Sequence, residues 1–159
     1  MYQKDFSIST SGQGLIEITN QIEEIVAQST TDEGLCNVFV KHTSASLLIQ
    51  ENASPDVLTD LNNFFKELVP ESGSYLHSTE GPDDMPAHIK NALTLSSLLI
   101  PVKNKSLDLG TWQGIFLFEH RHSKFKRQVN VSLFNLTTRL LFCFNPSNGL
   151  SVRLFNIWC

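Results

Sequence analysis

The chain predicts an α+β fold, a mostly antiparallel β-sandwich or sheet carrying two to three helices. Three observations lead there: apolar runs of period two, helical stripes interspersed among them, and several neighbouring runs spaced like hairpins. Taken in order, "FSIST" and "GLIEI" alternate apolar and polar residues around "SGQG", which reads as a β-hairpin. "NQIEEIVAQ" follows, with Ile22, Ile25 and Val26 on one helical face. Asn20 is placed to cap it and Glu23 to close a capping box. "LCNVFVKH" is a strand ending at His42. A second helix starts at Ser54 and Pro55, with Asp56 near its positive end and Val57, Leu61, Phe64, Phe65 and Leu68 as its stripe. Asp83 or Asp84 caps a third, short helix carrying His88, Ile89, Ala92 and Leu93. "SLLIPV", "GIFLFEH" and "RQVNVSLF" are strands.

A length of 159 residues suits one domain with a real core. Hydrophobic residues at 41% and charged residues at 18% fit a globular protein, and a net charge of −4 argues against a nonspecific nucleic-acid binder. "MYQKDFSIST" lacks the apolar core of a secretory signal, and no run approaches the roughly 20 apolar residues of a membrane span. Cys36, Cys143 and Cys159 have no C-x-x-C spacing, so reduced thiols in the cytoplasm are expected. Residues 1–135 read as the domain. Residues 136–159 are an atypical C-terminal tail without acidic residues, either a strand pair or an appended segment.

The chemistry gathers around histidine. His42, His77 and His120 each follow an apolar run, His88 sits early in the third helix, and His122 would share a side with His120 if that strand continued. Any one of them alone is an ordinary polar residue. As a set, with Glu80, Asp83, Asp84 and Glu119 nearby, they form a candidate site in which separated imidazoles converge on a zinc-like ion. No H-E-x-x-H signature is present. The hydroxyls of "HTSASLLIQENA" suit a phosphate oxygen, or simply make a turn. A serine nucleophile stays open, although no G-x-S-x-G occurs. In "LGTWQGI", Gly110 and Gly114 allow close backbone approach, Trp112 offers a flat face and Gln113 a donor and an acceptor. Arg121 suits a bidentate phosphate contact, while Lys124, Lys126 and Arg127 read as a solvated turn.

With these residues in view, the sequence resembles the YjbQ family, described as secondary thiamine-phosphate synthases. "HTSASLLIQENA", "YLHSTEGPDDMPAHIK", "IPV" and "LDLGTWQGIFLFEHR" carry the resemblance over about residues 5–134. It implies a trimer of β-sandwich subunits, a pocket near the subunit contacts, and a weak reaction joining a pyrimidine diphosphate to a thiazole phosphate with release of pyrophosphate. His42, Ser44, Ser46, Glu51 and Asn52 match its first motif; His77, Glu80, Asp84 and His88 its second; Trp112, Gln113, Glu119, His120 and Arg121 its third. On that reading His42, Ser44, Glu51, Glu119 and Arg121 are catalytic candidates. Ser46, Asn52, Trp112, Gln113 and Arg121 bind substrate. His77, His88 and His120 hold a divalent metal, zinc or magnesium. The expected partners are a small phosphorylated substrate and two further copies of the chain, with no nucleic acid and no membrane. The alternatives are a metal-dependent phosphate-ester hydrolase and a non-enzymatic binder of a small ligand or metal. Leu95 and Lys105 stand where relatives carry glycine, and the tail departs from the family.

Overall fold

A computed structural model describes residues 1–135, 140–145 and 149–154. The elements are β1 Tyr2–Ser9, β2 Gly14–Glu17, α1 Thr19–Gln28, β3 Gly34–Val40, β4 Ala45–Glu51, α2 Pro55–Leu68 and α3 Asp84–Leu93. They continue with β5 Ser97–Lys103, β6 Ser106–Leu107, β7 Gln113–Glu119, β8 Lys126–Asn135, β9 Leu140–Asn145 and β10 Gly149–Leu154. One sheet has the order β1-β8-β3-β5-β6 and another β2-β7-β4, with every ladder antiparallel. The fold is α+β with three helices among the described residues.

The expected β1–β2 hairpin is absent. β1 pairs with β8, from Tyr2 opposite Leu133 to Ser9 opposite Lys126, whereas β2 pairs with β7. Gly12 (φ 136°) and Gly14 (φ 145°) take the chain out of one sheet and into the other, in backbone conformations that other residues rarely adopt. The α1 capping box is likewise absent. The helix begins at Thr19 without a side-chain cap, the Thr19 hydroxyl accepts from Ile115 N at 2.9 Å, and Glu23 accepts from Leu107 N at 3.2 Å. Pro55 does open α2, although the Ser54 hydroxyl caps nothing. β4, a strand through the hydroxyl-rich motif, was not anticipated. In the tail, β9 and β10 form an antiparallel pair; residues 136–139, 146–148 and 155–159 lie outside the described residues.

One core cluster draws on both large sheets. Cys36, Val38, Val40, Leu98, Ile100, Val102, Val129, Val131 and Leu133 come from the larger; Ala45, Leu47, Ile115 and Leu117 from the smaller; and Ile22, Ile25 and Val26 from α1. Each such side chain contributes about 1.5–3 kcal/mol of burial. Gly34 lets β3 lie against β8, since a Cβ there would meet the Phe134 carbonyl oxygen at 2.1 Å. Strand alternation sends Phe116 and Phe118 to the opposite face of β7, and His120, just past its end, packs on Phe118. There Phe65 of α2 meets Phe118 edge-on at 5.3 Å, and α3 packs along β4. This second, thinner layer positions the site.

Candidate functional site

The site is built on α3 and the loops that meet its start. Asp84 and His88 are four residues apart, so one helical face presents both. The loop before α3 returns His77 to the same place. His77 Nε2 lies 2.7 Å from Asp84 Oδ2, His88 Nε2 lies 3.5 Å from the same oxygen, and the two rings are 5.6 Å apart. One ligand atom from each of the three residues falls within 4.8 Å of the others. The groups around them fix their orientation. Arg121 pairs with Asp84 Oδ1 and with Asp83 Oδ2 (3.0 Å), and its Nη2 reaches the Glu80 carbonyl at 2.8 Å. His88 Nδ1–H donates to the Thr43 carbonyl at 3.0 Å, which leaves the Nε2 lone pair facing Asp84. Burial works against ionisation of Asp83, but the His122 N–H and Arg121 outweigh it and hold its pKa below the usual value.

His120 is not part of this cluster, contrary to the expected His77–His88–His120 set. β7 stops at Glu119, so His120 turns inward and is 1% exposed, while His122 points out and bonds Glu71 at 2.8 Å. Instead His120 Nε2 is 2.9 Å from the buried Ser46 hydroxyl, its ring lies against Phe118 at 4.4 Å, and its Nδ1 has no partner. Burial, then Lys90 and Arg127, push its pKa down to about 3, so it is neutral.

Other expected residues divide by position. His42 Nε2 accepts from Gln128 N at 2.9 Å, and the Arg127 guanidinium lies 3.5 Å from its Nδ1; burial and Arg127 lower its pKa. His42 and Ser44 line a cavity of about 570 Å³ with Phe39, Thr43, Asn91 and Ser96. Thr43 joins that cavity to the cluster through His88. Glu119, expected to be catalytic, is fully buried and takes two bonds from Arg127 (2.6 and 2.7 Å) and one from Thr10 (2.8 Å). It is a structural ion pair, because all this bonding leaves it nothing to offer a substrate. Arg127 is therefore no solvated turn residue: it is 3% exposed. The Arg121 guanidinium is committed to carboxylates and does not face a free phosphate position. Glu51, Asn52, Trp112 and Gln113 sit at the far end of the β4–β7 ladder, where Glu51 pairs with Gln113 and Ala45 with Glu119. Six strand steps put about 20 Å between those ends. Asn52 N there bonds the Trp112 carbonyl at 3.0 Å, and a Cβ on Gly114 would meet Asn52 Cβ at 3.0 Å, the close approach expected of that glycine. Within the chain this corner stands apart from the histidine cluster.

The family described as UPF0047 protein YjbQ-like matches residues 4–135. A UPF0047 protein of Synechocystis sp. is 56% identical over 131 residues, covering 82% of this chain and 89% of its own length. The UPF0047 protein YjbQ of Salmonella typhimurium is 40% identical over 133 residues, covering 83% and 96%. Among solved structures, a YjbQ/UPF0047 family protein of Clostridium acetobutylicum superposes with a TM-score of 0.77 at 38% identity, covering 82% of this chain and 99% of the other. A YjbQ-like protein of unknown function from Sulfolobus solfataricus gives 0.79 at 30% identity, covering 84% and 96%.

Proposed function

The chain belongs to the YjbQ-like UPF0047 family, and from that premise we propose that it is a transferase of the thiamine-phosphate synthase type, working at a metal centre on His77, Asp84 and His88. The observation that carries this reading is the convergence of two imidazoles on one carboxylate oxygen whose partner oxygen is fixed by Arg121. Two nitrogen donors and one oxygen donor suit zinc better than magnesium, which prefers oxygen alone. A bound divalent ion would supply positive charge to the diphosphate that leaves. The chain's own residues do the rest. Arg121 and Thr43 hold the ligand atoms in place, and the neighbouring cavity admits a small ring beside Phe39, with His42 and Ser44 as polar contacts. The task is positioning and charge neutralisation, since pyrophosphate is already a fair leaving group.

The two large sheets are read as the layers of a sandwich, because their inward residues enter one core. Trimer assembly is supported by large apolar side chains on the outer face of the larger sheet, where Phe39 (41% exposed), Leu99 (62%) and Phe134 (41%) stand among polar neighbours on adjoining strands. No helix among the described residues is long and apolar enough to cross a membrane; a cytoplasmic location belongs to the same proposal.

Zinc content of the purified protein and chromatographic detection of thiamine phosphate from the two substrates test the function. His88→Ala is expected to lose zinc and at least about 100-fold of product formation, as ligand loss does at metal sites. Full zinc and undiminished turnover in that variant would end this reading. A hydrolase is the second reading, favoured by the partial exposure of the His77 and His88 side chains (44% and 32%), which water can reach. Release of nitrophenol from nitrophenyl phosphate, with no thiamine phosphate formed, would select it.

A further inference from the structure

Lys90 lies on α3, beneath the layer that holds His120, and only 3% of it is exposed. A buried ammonium is costly unless something compensates its charge. Among the described residues its side chain has neither an ion-pair nor a hydrogen-bond partner, and the nearby acids each bond other groups through one oxygen. Glu71 Oε1 takes bonds from Gln13 (3.1 Å) and His122 (2.8 Å), and Asp83 takes bonds from Arg121 (3.0 Å) and His122 N (2.8 Å). Lys90 instead lines a cavity of about 340 Å³, together with Lys66, His122, Gln13, Glu71 and Val69. That volume lies in the range of small-ligand sites. Two lysines against one carboxylate give the lining a surplus of positive charge, in a chain whose net charge is −4.

We propose that this cavity is an oxyanion subsite, in which Lys90 binds the phosphate group of a small molecule and Val69 meets the adjoining carbon. Gln13 and His122 hold Glu71 at the cavity wall, and Lys66 adds charge from an exposed position. The subsite is separate from the His77–Asp84–His88 cluster and does not depend on metal there.

The test is a titration of the full, chelator-treated chain with inorganic phosphate at constant ionic strength, followed by amide resonances. Saturable shifts are expected at Glu71, Lys90 and His122. Lys90→Met should weaken phosphate at least about tenfold, the worth of a charge-assisted bond. His88→Ala should leave affinity within about twofold, since a two-residue step on α3 turns the side chain about 200° away from Lys90. Lys66→Gln, at an exposed position that tolerates change, should weaken it about threefold or more and serves if Lys90→Met does not fold. Absence of saturation, shifts centred on His77 and His88, or unchanged affinity in either lysine variant would overturn the subsite. None of these outcomes depends on whether the transferase reading holds.

Discussion

Neutral and enclosed, His120 makes the stability of the protein depend on pH in a defined direction. Its pKa falls from an ordinary value near 6.5 to about 3 on folding. The unfolded chain therefore binds a proton that the native chain refuses. Stability is complete above about pH 6.5 and is lost as pH drops toward 3, by about 1.4 kcal/mol per unit for one such group. His42 is lowered too and acts in the same direction. Melting temperature measured from pH 7.5 to 4.5 should fall steadily, and His120→Gln should flatten that fall; an unchanged slope in the variant would refute the assignment. At this scale the sequence exposed the reactive residue types but not their partners. His77 and His88 were readable as members of one site. Asp84 was not read as the third member of the cluster, although its four-residue spacing from His88 on a helix was the signal. Arg127 was misread because a basic run looks solvated, whereas the pairing that buries it comes from Glu119, eight residues earlier. Lys90 gave no signal, since nothing local marks a lysine that tertiary packing will enclose.

Periodicity decides whether an element exists, not which neighbour it takes. β3, β5, β7, β8 and all three helices follow from their apolar patterns. β1 and β2 were correctly strands and wrongly partners, because a period-two pattern is the same whichever ladder receives it. β4 escaped notice because its hydroxyls suggested a turn. α2 shows the converse: its stripe is only half used, with Phe65 on Phe118 while Phe64 and Leu68 remain 57% and 53% exposed. The glycine-to-other changes separate cleanly. Leu95 keeps a negative φ, so its loss of glycine carries no backbone strain. Asn104 (φ 53°) and Lys105 (φ 59°) form the turn between β5 and β6 in the left-handed region, which suits asparagine and disfavours lysine. Lys105→Gly is expected to stabilise the protein by about 1 kcal/mol. Chemical denaturation measures this, and a destabilised variant would show that the lysine side chain contributes more than its backbone costs.

For the molecule as a whole, the proposed trimer rests on the outward-facing Phe39, Leu99 and Phe134. Leu99→Glu places a charge among them. Light scattering coupled to size exclusion should then report a monomer where the parent reports a trimer; an unchanged mass would assign the contact to another face. The α+β class and the single core were legible from composition and pattern. Trimer assembly, and any role of the Trp112 corner in a neighbour's pocket, depend on copies that one chain does not display. The larger sheet also has an order that the chain order does not suggest, with β8 lying between β1 and β3. The strand that joins β1 to the rest of the sheet is thus one of the last pieces of the domain to leave the ribosome. Until residues 126–135 emerge, β1 and β3 each present an open edge, at which a nascent chain is vulnerable to aggregation.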